Sequence, residues 1–311
     1  DPAFTAPPDF DQHGDPFTRV HNGRIDIGAY EAQPLLADVN GDMVVNGLDF
    51  LLIQAAGGDI ARWNAEYGVT APMEQPSLVV TTDQDVVDPF DGETSLREAI
   101  EYANDLAGAD TITFDASMAG KTILLAEGEL DINEDLTIIG LGADQVTIDA
   151  QQQSRVINIT DSSASSYRIV GLTITGGVDR EGGGILSLGT YQSLTIEDSV
   201  VTGNSAAWAG GGIHVDGGLE LIRTVVSNNT VDGDFGIPGG GGGGILQRFD
   251  DGDLIVRQSV ITGNSTTGFS QPGGGVRASG DVFFYDSELS NNFTLERSSP
   301  GGGFSTGILG T

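Results

Sequence analysis

Oxygen-bearing side chains recur at alternate places in the stretch DVNGDMVVNGLD. Asp38, Asn40 and Asp42 hold the first, third and fifth positions, Asn46 the ninth and Asp49 the twelfth. With the Val44 carbonyl at the seventh, this spacing wraps a hard cation, because alternate residues face the loop centre and carboxylates offset the ion's charge. The predicted cofactor is calcium, held by Asp38, Asn40, Asp42, Val44, Asn46 and Asp49, with the affinity of extracellular modules, on the order of 10⁻⁴ to 10⁻³ M. Met43 stands at the sixth position, where the loop turns sharply and a side chain meets a steric cost. The apolar run FLLIQAA from Phe50 reads as the helix that leaves the loop. In DIARWNAEYG, Ile60, Trp63 and Tyr67 fall at helical spacing with no second acidic loop before them.

Other residues that could do chemistry form no catalytic set. Asp250 and Asp251 are adjacent carboxylates in a chain crowded with them, and read as a solvated loop. His13, His21 and His214 are far apart, without ligand spacing, and His214 reads as a surface or corner residue. Arg223, Arg257 and Arg277 form no obvious set with acids. There is no Cys to act as nucleophile and no Gly-x-Ser-x-Gly elbow. The glycine run Gly239–Gly244 lacks the Lys-Ser/Thr of a phosphate loop and opens no helix.

The elements that carry these residues are announced by repetition. LTIEDSVVTGN from Leu194 returns as LELIRTVVSNN from Leu219, LIVRQSVITGN from Leu254 and VFFYDSELSNN from Val282. Each copy ends on an Asn (Asn204, Asn229, Asn264, Asn292). Each is followed by three glycines and an apolar residue that opens another strand: Ile213, Ile245, Val276, Phe304. Periods of 25 to 35 residues, built from short alternating strands and turn residues, predict the coils of a parallel β-helix. Recurrent Asn at one point of each coil predicts a ladder of amides, the Asn taking the left-handed conformation of a tight corner. Insertions between Asn229 and Ile245, and between Asn264 and Val276, predict two loops bulging from one corner, where solenoids often place binding surfaces. Earlier strands are expected at Thr111–Phe114, Thr122–Leu125, Leu136–Ile139, Val146–Ile148 and Val156–Ile159. A helix beginning after Ser95, with Glu98 completing a capping box and Leu96, Ala99, Ile100 and Ala103 on one face, is suited to cover the solenoid's open end.

Composition agrees. The 311 residues include 47 Gly against 3 Met and 2 Trp, which favours turns over long helices. With 45 acidic and 13 basic residues the formal charge is -32, which argues against nucleic acid or anionic lipid and for divalent cations. Lys121 is the only lysine. Without Cys, no disulfide contributes to stability. No apolar run reaches transmembrane length and no signal peptide precedes Asp1, so the chain reads as a processed product or an excerpt, secreted or at the cell surface.

Three segments carry family resemblances. RVHNGRIDIGAYEAQ from Arg19 is similar to the segment that ends the solenoid in a family of large bacterial surface proteins built as right-handed parallel β-helices. The calcium loop with its exit helix resembles one half of a type I dockerin. SLVVTTDQDVVDPFDGETSLREAIEYANDLAGADTITFD from Ser77 resembles the CSLREA-type domain that opens bacterial parallel β-helices, with Thr94 where that family has Cys. LTIIGLGADQVTIDA from Leu136 is similar to an early coil of many β-helices, pectate lyase-like ones included, and the Gly/Asn repeats resemble those of polymorphic outer-membrane proteins.

The expected organisation is therefore a closing-type segment over residues 1–34, a half-dockerin-like calcium module over 35–72, and a right-handed parallel β-helix over 77–311 with its cap at 77–115. The resemblances imply a bacterial, non-enzymatic structural or adhesive protein outside the cell. The alternatives are a β-helix polysaccharide lyase, hydrolase or glycan-binding protein, and a dockerin-like tether. The order of segments adds one expectation. A closing segment comes first and the coils run on to FSTGILGT, so residues 1–33 are expected to complete the uncapped coil of a neighbouring copy, head to tail. Other copies of the chain and surface glycans are the expected partners.

Overall fold

A computed structural model describes residues 20–21, 24–25, 77–88, 91–160, 165–233, 240–250, 252–267, 271–295 and 301–306. The chain divides into two compact units, Asp1–Glu74 with Phe90–Gly92, and Gln75–Pro89 with Glu93–Thr311. In the first, Val20–His21 pairs antiparallel with Arg24–Ile25. The calcium loop, its exit helix and the Ile60–Trp63–Tyr67 stripe lie outside the described residues.

The second unit is a parallel β-solenoid. Its coils contribute strands in turn to a first sheet of eight strands, a second of seven, a third of five and a fourth of seven. One full coil runs Ser193–Glu197, Val200–Thr202, Ser205–Ala209 and Ile213–Val215 before the next opens at Gly218. Parallel pairing places the repeated phrases in register. Leu194 lies on Leu219, Leu219 on Leu254, and Leu254 on Val282. Val201, Val226, Ile261 and Leu289 form a second column, and Ile213, Ile245, Val276 and Phe304 a third. These inward columns are buried until the last coil, and each buried Leu, Ile or Val stabilises the fold by about 1.5–3 kcal/mol.

The corners explain the polar punctuation. Between the second and third sheets, the Asn204 amide donates to Asn229 Oδ1 (3.0 Å), Asn229 to Asn264 Oδ1 (3.0 Å) and Asn264 to Asn292 Oδ1 (2.9 Å). Backbone N–H groups of the same residues donate to the same oxygens. The ladder is as expected, but its Asn residues are not the left-handed ones. That conformation belongs to the residue before each: Gly203, Asn228, Gly263 and Asn291. A ladder amide must point into the wall, so the sharp turn is made one position earlier. A second ladder, unforeseen, occupies the first-to-second sheet corner. There Asp198, Arg223, Gln258 and Asp286 are left-handed, and the following hydroxyls accept N–H groups of the preceding coil, as in Thr224 N to Ser259 Oγ (2.9 Å) and Ser259 N to Ser287 Oγ (3.1 Å). The glycine triplets divide similarly: Gly210 and Gly242 have positive φ, while a Cβ on Gly211 or Gly212 would collide with carbonyls of the next coil.

At the other end lies helix α1, Leu96–Asp105. Ser95 and Glu98 form the capping box, and Leu96, Ala99, Ile100 and Ala103 are the buried face. Arg97 joins Asp85 through two hydrogen bonds (2.8 and 2.9 Å) and reaches the carbonyls of Gly128 and Glu129. Burial pushes the Asp85 carboxyl up, but Arg97 and the N–H groups of Glu127 and Ala126 outweigh it and hold the group below the usual range. The expected early strands are all present, within a residue or so of their predicted ends. Leu130–Ile132, Val178–Glu181 and Ser205–Ala209 are additional strands.

Two measurements check these accounts. Asn229→Ala strands buried partners on both sides of the ladder, at about 1–3 kcal/mol for each group left without a bond, so its Tm should fall well below that of Asn291→Ala. Asp85→Asn should destabilise the cap near neutral pH. An aspartate whose titration is depressed by folding stabilises above about pH 4 and loses that contribution as pH falls through the folded value, so the Tm gap to the parent chain should close in acid.

Candidate functional site: a buried histidine between two carboxylates

The fourth sheet holds the densest set of titratable side chains with unmet bonds. Along its strands the flanking residues face inward, and the middle residues Leu186, His214, Leu246, Arg277 and Ser305 form one outward column in register. Alternation predicts exposure for such a column. Instead Leu186, His214, Leu246 and Arg277 are buried, His214 with 0% exposure. The cause is the corner between the third and fourth sheets. Val178–Glu181 and Ser205–Ala209 pair with a register shift between Asp179 and Glu181. Gly182 and Gly210, which follow them, pack closely against Leu186 and His214, and Trp208, on Ser205–Ala209 itself, lies edge-on to His214 with ring centroids 6.3 Å apart. Further along, Arg277 donates to the Gly240 carbonyl, and burial lowers the guanidinium's affinity for its proton.

Beneath this cover charges alternate across successive coils. Arg155 spans Glu129 (2.7 Å) and Asp179 (2.9 Å), while its Nε donates to the carbonyls of Glu181 and Gly182 (both 3.1 Å). Asn158 donates to Glu129 and Asp131. Burial raises the Glu129 carboxyl above its usual range, against the pull of Arg155. One coil on, His214 Nδ1 stands 3.4 Å from Glu181 Oε2 and Nε2 stands 3.4 Å from Asp216 Oδ1. Asp216 Oδ2 accepts from Arg248 Nη2 at 2.6 Å. The Arg180 guanidinium lies 5.8 Å from the centroid of the Trp208 ring.

His214 is thus neither a surface residue nor a corner residue: it is mid-strand, and the leaning corner seals it. Arg223 and Arg257, read from sequence as belonging to no set, join acids on the outer faces. Arg223 bonds Glu197 and Asp198, and Arg257 bonds Glu220. Asp250 is exposed and Asp251 lies outside the described residues, as do Asp38, Asn40, Asp42, Val44, Asn46 and Asp49. Among the described residues no group of three or more His, Asp and Glu side chains is arranged to hold a metal ion, and no helix is long and apolar enough to cross a membrane.

Sequence reasoning missed Glu181, Trp208, Asp216 and Arg248 as companions of His214. The available signal was a Trp among small residues just before a glycine triplet, in AAWAGGG, with His-x-Asp after it. A buried His with Arg-paired carboxylates offers a substrate no approach, and the arrangement suits holding coils together. The fold places the chain among parallel β-solenoids. Comparison with protein-family models, curated proteins and solved structures finds no match.

Removing one partner of a buried ion pair costs about 3–5 kcal/mol. Arg248→Ala should therefore lower stability by about 3 kcal/mol, the buried Asp216 being left with one charge partner fewer. Arg248→Ala should cost less in an Asp216→Asn background, and a double-mutant cycle by denaturant titration reads that coupling.

Proposed function

We propose that this chain is a non-enzymatic, extracellular structural or adhesive solenoid of bacterial type, braced by calcium at Asp38, Asn40, Asp42, Val44, Asn46 and Asp49, that associates end to end with copies of itself. The observation that carries this reading is the coil from Val282 to Thr306. Phe284 is in register with Val256, yet it is 38% exposed where Val256 is buried. Phe293 and Leu295 are exposed beside it, and Leu289 and Phe304 only partly covered. On the outer wall Phe283 and Tyr285 stack with centroids 6.5 Å apart. Among the described residues, no strand pairs with the outer edge of this coil. A further coil, whether of this chain's own continuation or of a neighbouring copy, would pair with these strands and cover these side chains. Residues 1–33 of a neighbouring copy are the proposed occupant, with the calcium module as connector. The acidic composition suits a divalent cation, and the expected affinity is that of extracellular calcium modules.

A glycan-binding reading has its own support at the turns from fourth to first sheet. Tyr191, Leu188 and Phe249 project there with large exposed surfaces, and Arg248 stacks on Phe249 at 4.7 Å. Exposed aromatic rings beside charged groups suit sugar faces and hydroxyls.

Electron microscopy of the full chain with and without a calcium chelator tests the main reading. Filaments that loosen on chelation are expected. Isolated rods indifferent to calcium would exclude it and turn attention to glycan arrays, on which Tyr191→Ala should lose binding.

A further inference from the structure

Buried polar atoms in folded proteins nearly always have a hydrogen-bond partner. Among the described residues seven buried side-chain atoms lack one, and five belong to a single cluster: Trp208 Nε1, both ring nitrogens of His214, Asp216 Oδ1 and Arg248 Nε. We propose that this cluster is a proton site, in which His214 is bound as an imidazolium between Glu181 and Asp216 and so fastens the leaning corner to the fourth sheet.

A neutral imidazole has one N–H and one lone pair. In either tautomer the lone pair of His214 would face a carboxylate oxygen 3.4 Å away, Glu181 on one side or Asp216 on the other. Two acceptors would then oppose each other in a site closed to water, where an unmet polar group is costly. The imidazolium has two donors, and both carboxylates receive one. A single added proton thereby gives three of the five atoms a facing partner of the right kind, at N–O separations of 3.4 Å. Nothing else in the column competes, because the residues in register with His214 are Leu186 and Leu246.

The charges around the ring support the same assignment. Glu181 faces it from the third-sheet strand of the preceding coil, and Asp216 from the turn after its own strand. Arg248 reaches the group through Asp216 from the next coil. Arg180 lies 3.8 Å from Glu181 and is itself mostly exposed, and the Arg155 guanidinium is engaged with Glu129, Asp179 and backbone carbonyls. Asp216 is paired by the partly buried Arg248 at 2.6 Å, whereas Glu181 has only the exposed Arg180 at 3.8 Å, and the imidazolium gives it a buried partner. Glu181, His214 and Arg248 come from three successive coils, so the proton links coils as well as sheets.

In the ¹⁵N-labelled full chain, nuclear magnetic resonance of the histidine rings should show two exchange-protected N–H protons on one ring at mildly acidic pH, absent from His214→Gln. Glu181→Gln and Asp216→Asn should each remove one of the two, and carry the test if His214→Gln does not fold. A single protected ring N–H at every pH would overturn the proposal.

Discussion

In-register stacking of parallel coils is the constraint on which everything else in this protein depends. Each strand residue lies directly against the residue one coil earlier and one coil later, so whatever occupies a position must tolerate near-copies of itself above and below. Branched aliphatic residues do so by dispersion and exclusion of water, which is why Leu194, Leu219 and Leu254 recur in one column. Asn does so because its amide is both donor and acceptor and can bond the Asn on either side. Ser and Thr do so more weakly through one hydroxyl. Glycine does so where carbonyls of adjacent coils approach too closely for any Cβ, as at Gly211 and Gly212.

Charge is the residue property that stacks worst, and the formal charge of -32 makes the problem acute. The outer walls resolve it by offsetting unlike charges between neighbouring coils. Glu197 receives Arg168 from the coil before and Arg223 from the coil after, and these bonds hold its carboxyl below the usual range against the effect of burial. Arg257 bonds Glu220 one coil back and lies over the Tyr285 ring one coil ahead. Arginine suits this task better than lysine because its planar fork serves an acid and a ring face at once. Exposed pairs of this kind stabilise little individually. Their effect is to let an acidic wall close without like charges in contact.

What could be read from sequence follows from the same constraint. Repeated positions are those under stacking pressure, so the columns, the Asn ladder and the register of the late coils were plain in the repeats. The cap was plain for a different reason: Ser95 with Glu98 and the Leu96–Ala103 stripe are local signals that need no tertiary context. The third sheet was not legible. Its strands Val178–Glu181 and Ser205–Ala209 differ in sequence and leave the regular register, so neither alternation nor repetition marks them. His214 was misplaced as a consequence. A pattern of alternation assigns its side chain outward, which is correct, but cannot say that a neighbouring segment folds over it.

That covered column shows how a solenoid acquires individuality. Identical coils give a uniform wall, and departures from uniformity must bring their own compensation. Where the corner leans outward it buries Leu186 and Leu246 at no electrostatic cost, but in the coil between them it closes over a histidine. The position is tolerable because the coils before and after contribute groups that vary as it does: Glu181 from the one and Arg248, through Asp216, from the other. Three successive coils thus differ from one another in a mutually consistent way, and shifting any of them by one repeat would leave a buried charge without its counterpart. The apolar columns alone would accept such a slip, since Leu replaces Leu and Val replaces Val. A buried polar cluster spanning several coils does not, and it supplies the register that repetition by itself leaves undefined.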